Sequence, residues 1–170
     1  HVVSLHVTGK ASGTFQAAQS ATTRLHAPDK VTAMDSMNAS VGQGFVAMYA
    51  AELAATGAGP EEVIAGITRI IPLTRTYALL GNLEYAVKGG RVAASKKRIA
   101  DLFRATPVLE LGDGGSIDVG GMFFGRKNRL LKFVRFVKRR QDISSNSRIL
   151  IAHAECAGQA KQLEGLLREA

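Results

Sequence analysis

TGKASGTFQAA, residues Thr8 to Ala18, leaves the apolar run Val2 to Val7 through a turn rich in Lys, Ser, Gly and Thr and enters a helical pattern at once. A strand that feeds a helix through so short a turn is the basic step of a parallel α/β layer. The turn admits two readings. Ser12 or Thr14 caps the helix and Gly13 permits the bend, or the hydroxyls and backbone N–H groups at the positive end of the helix form a seat for an anion. A nucleotide-phosphate loop is excluded, because Ser4 stands where such a loop needs its first glycine and Ala11 where it needs a hydroxyl after Lys10.

The step repeats downstream. KVTAMDS (30–36) reads as a second short strand, followed by DSMNASVGQGF (35–45), another polar turn containing glycines, and by a helix through Met48, Tyr49 and Leu53. Gly57 and Gly59 stop that helix. Pro60, with Glu61 and Glu62 behind it, starts the next, whose Val63, Ile64, Ile67, Ile70 and Ile71 share one face. Two hydroxyl-bearing turns thus follow successive strands, on the edge where ligands of open α/β sheets collect. Ser36 and Ser40 are candidate contacts from the second turn, and Gly42 and Gly44 allow close backbone approach.

After Pro72 the texture changes. TRTYALLGN (74–82) reads as a strand, NLEYAVKGG (82–90) as a short helix capped by Asn82, and ASKKRIADLFRA (94–105) as an amphipathic helix with Ile99, Leu102 and Phe103 inward. TPVLELGDGGSIDVGGMFF (106–124) reads as two strands about a turn at Asp113 to Gly115. A basic helix from Arg126, the strand SRILIAHAE (147–155) and a last helix from Ala157 follow, and the hairpin signals in this half predict an antiparallel or mixed sheet with helices on one face. The charge divides in the same place. Of 22 Lys and Arg and 14 acids, residues 1–72 hold four and five, leaving eighteen against nine beyond Pro72. A boundary at 72/73 is therefore expected, with a basic second half suited to an acidic or anionic partner.

The chemistry that is missing narrows the function. The single cysteine, Cys156, excludes an internal disulfide framework and a multi-thiolate metal site. The histidines at 1, 6, 26 and 153 have no partners at metal-ligand spacing, and no metal site is expected. No Ser-His-Asp set or carboxylate pair suggests hydrolysis. No apolar run approaches the roughly 20 residues of a membrane span, and no signal-like leader opens the sequence, so the expectation is a protein without integral membrane association.

Taken in order, SGTFQAA (12–18), DSMNASVGQG (35–44), TRTYALLGNLEYAVKGGRV (74–92) and the series from TPVLELGDGGSI (106–117) to GRKNRLL (125–131) resemble the DegV family of bacterial fatty-acid-binding proteins. The resemblance implies a two-domain α/β fold. Residues 1–72 would be the second half of a three-layer α/β/α domain, and 73–170 most of an α/β domain with a largely antiparallel sheet. It implies an internal fragment that lacks the family's amino-terminal region and its carboxyl-terminal HxGPG strand, and Val7-Thr8 stand where the family commonly has two serines.

Functionally, the resemblance implies a long-chain fatty acid lying between the domains. Its carboxylate would be held by Ser12, Gly13 and Thr14 and by Arg126, and presented to the separate ATP-binding subunit of a fatty acid kinase. Arg91 in KGGR would serve in docking that partner or in holding the domains together. The protein would be a cytoplasmic acyl-binding subunit with no catalytic machinery and no cofactor beyond the bound fatty acid. A second reading rests on the residues from Arg126 to Arg140, where Arg129, Lys132, Arg135, Lys138 and Arg139 line one face: a basic nucleic-acid-binding or regulatory module. Phe133 and Phe136 lean toward the apolar side and read as packing rather than stacking platforms, so no nucleic acid is expected as partner.

Overall fold

The computed structural model describes residues 1–25, 28–81, 84–91, 105–125 and 127–169. They divide into two compact units, His1–Thr76 with Leu111–Ile117, and Tyr77–Glu110 with Asp118–Ala170. The first unit thus ends after Thr76 and takes in the tip of a hairpin from further along the chain.

In the first unit, β1 (Val2–His6) and β2 (Val31–Asp35) pair in parallel, Val2 opposite Val31 and His6 opposite Asp35. Helix α1 (Thr14–Thr22) joins them, and α2 (Ser40–Ala55) and α3 (Pro60–Ile70) follow. The expected βα steps are therefore present. Val3 and Leu5 of β1 and Met34 of β2 pack on a core of Val46 and Ala50 from α2 with Val63 and Ile67 from α3. Gly66 lets the two helices close, because a Cβ there would run into the Leu53 side chain. Pro60 at the first turn of α3, with Glu61 and Glu62 beside it and Arg69 in the last turn, suits both ends of the helix dipole. The second polar turn is shorter than expected: α2 already begins at Ser40, so Gly42 and Gly44 lie within the helix.

In the second unit, β3 (Tyr77–Leu79) pairs antiparallel with β4 (Ala105–Leu111), and β5 (Ile117–Phe124) is the other neighbour of β4. The sheet has order β3-β4-β5. Helix α4 (Glu84–Lys88) precedes the sheet's central strand, and α5 (Arg129–Arg140) and α6 (Ala157–Arg168) follow it. Helix α5 buries Phe133 and Val134. Its Phe136 ring meets Tyr77 and Phe123 edge to face, with centroids 5.9 and 6.0 Å apart. Gly121 makes room for that ring, since a Cβ there would stand 2.7 Å from it.

Three expectations need correction. Of the strand expected over 74–82, the described residues form strand only at Tyr77–Leu79. The basic helix begins at Arg129, because Asn128 has φ of 56°, a left-handed conformation incompatible with a helix interior and one that Asn tolerates. Residues 147–155 form no strand. A strand is defined by a neighbour, and among the described residues no ladder reaches this segment, which leaves Ile149 and Leu150 exposed. The helix expected over 94–105, with Ile99, Leu102 and Phe103, lies outside the described residues except for Ala105, which is in β4; so do the cap Asn82 and His26.

Candidate functional site

The first polar turn is built on Thr8, which is fully buried at the end of β1. Its carbonyl accepts the N–H groups of Ala11 (3.0 Å) and Ser12 (3.2 Å), curling the chain so that α1 can start at Thr14. Ser12 is half-buried, its Oγ accepting the Thr14 N–H at 3.3 Å and lying 3.2 Å from Thr14 Oγ1. Gly13 and Thr14 are exposed. The first bond of the helix runs from Ala17 N–H to the Gly13 carbonyl (2.9 Å). Helix geometry therefore leaves the amides of Phe15 and Gln16 without an intrahelical acceptor, at the positive end of the dipole and next to two hydroxyls. That set of donors suits a carboxylate.

Not all of the turn's donors are open. Gly9 N–H is bound by Asp35 Oδ2 at 2.9 Å and Lys10 N–H by Thr8 Oγ1 at 3.3 Å. The donor set thus narrows to the end of the turn, Ser12 to Gln16.

The second turn differs from its sequence reading. Ser36 is 0% exposed; its hydroxyl donates to the Asn38 carbonyl (3.1 Å) and accepts the Asn38 N–H (3.2 Å), closing the turn on itself. Ser40 is exposed and opens α2 with φ of 52°. Between them stands Asn38, 2% exposed, whose Oδ1 accepts the Thr76 hydroxyl at 2.8 Å and whose Nδ2 donates to the Thr74 carbonyl at 3.3 Å. Beside this turn a cavity of about 280 Å³, lined by Met37, Asn38, Thr74, Arg75, Leu111 and Gly112 among others, lies within the first unit. That is just under the roughly 300–1,000 Å³ of typical small-molecule sites.

The remaining candidates are placed as follows. Arg126 lies outside the described residues. Arg91 is exposed and its guanidinium donates to the Gly89 carbonyl at 2.6 Å. On α5, Lys132 donates to the Phe124 carbonyl at 2.9 Å, Arg129 to Gln159 at 3.3 Å and Arg140 to Glu110 at 3.1 Å, so part of the basic face is engaged with its own unit. His6 shares a hydrogen bond with Ser4 Oγ at 2.8 Å, and His153 is exposed. No cluster of three metal-ligating side chains occurs among the described residues, and none of their helices is long and apolar enough to cross a membrane.

The sequence reading missed Thr8, Asp35, Asn38 and Thr76, the groups that give both turns their shape. Asp35 and Asn38 stood within a quoted motif, where an acid at a strand end carries a weak signal. The partners of Thr8 and Asn38, 107 and 38 residues away, carry none.

Comparison with known proteins bears on the whole chain. A family model described as "Uncharacterised protein, DegV family" matches residues 1–170. A DegV domain-containing protein of Caldanaerobacter subterraneus is 24% identical over 168 residues, 99% of this chain and 59% of the relative. A fatty-acid-binding DegV family protein of Thermus thermophilus is 30% identical with a TM-score of 0.68, over 82% of this chain and 48% of that one. A Thermotoga maritima protein with fatty acid binding function is 25% identical with a TM-score of 0.80, over 99% of this chain and 58% of that one. The chain therefore spans between about half and three fifths of these relatives' lengths. With its parallel βα steps, its β3-β4-β5 sheet and a match over every residue, the chain belongs to the DegV family.

Proposed function

We propose that this protein binds a long-chain fatty acid and presents its carboxylate to a separate, ATP-binding fatty acid kinase subunit for phosphorylation. The observation that carries the reading is the Ser12 turn: a half-buried hydroxyl, a second hydroxyl on Thr14 and two helix-end amides converge at the carboxyl-terminal edge of β1. The fatty-acid binding of the Thermus and Thermotoga proteins supports it. Ser12, Gly13 and Thr14 hold the carboxylate, joined by Arg126, whose planar guanidinium matches a carboxylate in two parallel hydrogen bonds. Ser40 lies at the rim of the second turn, and Ser36 shapes that turn from within. Residues 1–72 act as the second half of the amino-terminal DegV domain and 73–170 as most of the carboxyl-terminal one. Arg91 belongs to the docking face for the kinase. The protein works in the cytoplasm as a carrier subunit, without catalytic groups of its own and with the fatty acid as its only small-molecule ligand.

Burial of the acyl chain drives retention, at about 0.8 kcal/mol per CH₂, while the head contacts set orientation. Mass spectrometry of an organic extract of the full-length protein tests the reading. One fatty acid per chain is expected. A clean extract from protein that also refuses added palmitate and oleate would overturn it.

A further inference from the structure

We infer that Asp35 is the positioning residue of this site, its carboxylate tying the Ser12 turn to the second turn and so setting affinity for the ligand head. The inference rests on the fatty-acid reading above and adds a residue to it. Asp35 ends β2, directly opposite His6 in the parallel ladder, and its two oxygens serve two different turns. Oδ2 accepts the Gly9 N–H at 2.9 Å, three residues before Ser12, and Oδ1 accepts the Met37 N–H at 2.8 Å in the second turn. The neighbouring bonds reinforce the tie. Thr8 N–H donates to the Asn38 carbonyl at 2.8 Å, Thr8 Oγ1 donates to the Gly115 carbonyl at 2.8 Å, and the Thr8 carbonyl holds Ala11 and Ser12. From Asp35 to Ser12 the path is therefore short: Asp35 fixes Gly9, its neighbour Thr8 is fixed on both sides, and Thr8 fixes the Ser12 backbone.

Two features show how closely the carboxylate is fitted. Met37 has φ of 51°, a conformation uncommon for a residue with a long side chain, and Asp35 holds its amide there. At Gly9 a side chain would crowd the carboxylate, since a Cβ would stand 3.0 Å from Asp35 Oδ2, with the movable end of Gln16 at 2.8 Å. A carboxylate accepts from both amides at once, whereas a carboxamide offers one acceptor oxygen and one NH₂ and must turn a donor toward one of the two donors. Asp35→Asn is thus nearly isosteric and releases one turn from the other.

The test is a double-mutant cycle on the full-length protein, with palmitate displacing a fluorescent fatty acid as the readout and the melting temperature recorded for each variant. Ser12→Ala should weaken palmitate binding, and Asp35→Asn should weaken it by about tenfold, the loss expected of one hydrogen bond to a charged group. If Asp35 acts through the Ser12 turn, the double variant binds no more weakly than the weaker single one. A merely structural loss would instead multiply with the Ser12 effect. Multiplying effects, or unchanged affinity in Asp35→Asn, overturn the inference and leave the fatty-acid reading intact. Wild-type protein that binds no palmitate overturns that reading and this inference with it. Should Asp35→Asn fail to fold, Gly9→Ala takes its place in the same cycle, pushing on Oδ2 while keeping the carboxylate, and the same non-multiplying pattern decides.

Discussion

Asn38 shows how a single side chain settles a turn that sequence motifs only outline. With its carbonyl oxygen bound by Thr76 and its amide bound to the Thr74 backbone, it is nearly closed to solvent. Buried polar groups are costly only when a partner is lost. Thr76→Val keeps the shape but leaves Asn38 Oδ1 without its donor, and is expected to destabilise the protein by about 1–3 kcal/mol in urea denaturation. Gly42 tests the same site from the other side: a Cβ there would collide with both Thr76 Oγ1 and Asn38 Oδ1. Gly42→Ala should therefore cost about 1–3 kcal/mol although alanine is the better helix former, and a more stable variant would show that the bridge yields. At Ser12 the expectation is opposite in kind. The residue is half-buried and its contacts are local, so Ser12→Ala should leave the melting temperature nearly unchanged. Under the proposed function it should also lower fatty-acid retention and the rate at which a fatty acid kinase phosphorylates the bound acid; an unchanged phosphorylation rate would count against its role.

At the scale of elements, burial separates contacts that matter for stability from those that decorate the surface. Ile67 of α3 is 0% exposed against Val46 and Ala50 of α2, and Ile67→Ala should cost about 2–5 kcal/mol, read as a clear drop in denaturation midpoint. Arg140 of α5 looks more connected on paper. It pairs with Glu110 at 3.1 Å, donates to the Gly120 carbonyl at 2.9 Å and lies 4.0 Å over the Phe136 ring. Its side chain is 39% exposed, however, and screening by water and salt limits Arg140→Ala to about 1 kcal/mol. The amphipathic pattern of α5 and the packing of Phe136 are legible in the sequence, because a period of 3.6 residues is a local property. The expected strand over 147–155 failed for the opposite reason. An apolar run is the same in a strand and in an extended connection, and only a partner ladder makes the difference.

For the whole molecule, two measurements follow from charge and ligand. The net charge of +8, concentrated beyond Pro72, invites a nucleic-acid partner, but the aromatic side chains on α5 are packed and several of its cations are engaged within the unit. Fluorescence anisotropy against short duplexes is expected to show no binding even at low salt, where phosphate contacts are strongest. Binding with a steep salt slope would instead favour the nucleic-acid reading. Under the proposed function, a fatty acid at about one hundred times its dissociation constant should stabilise the full-length protein by about 2.7 kcal/mol, visible as a concentration-dependent rise in melting temperature.

The sequence alone was enough for the parallel βα steps, the start of α3 at Pro60, the hairpin about Gly114 and the family series from SGT to GRK, since each depends on neighbours within a few residues. Folding was needed for the frame around the site. Thr8 meets Gly115, Asn38 meets Thr76, and Asp35 meets Gly9 because the ends of β1 and β2, the segment through Thr76 and a hairpin tip converge within the first unit, at separations of 107, 38 and 26 residues that no periodicity encodes. Folding also decided which hydroxyl faces out. Ser12 and Ser36 look alike as turn serines, yet Ser36 is spent on the backbone of Asn38 and Ser12 stands at an open helix end, because a buried polar turn must satisfy itself before it can serve a ligand.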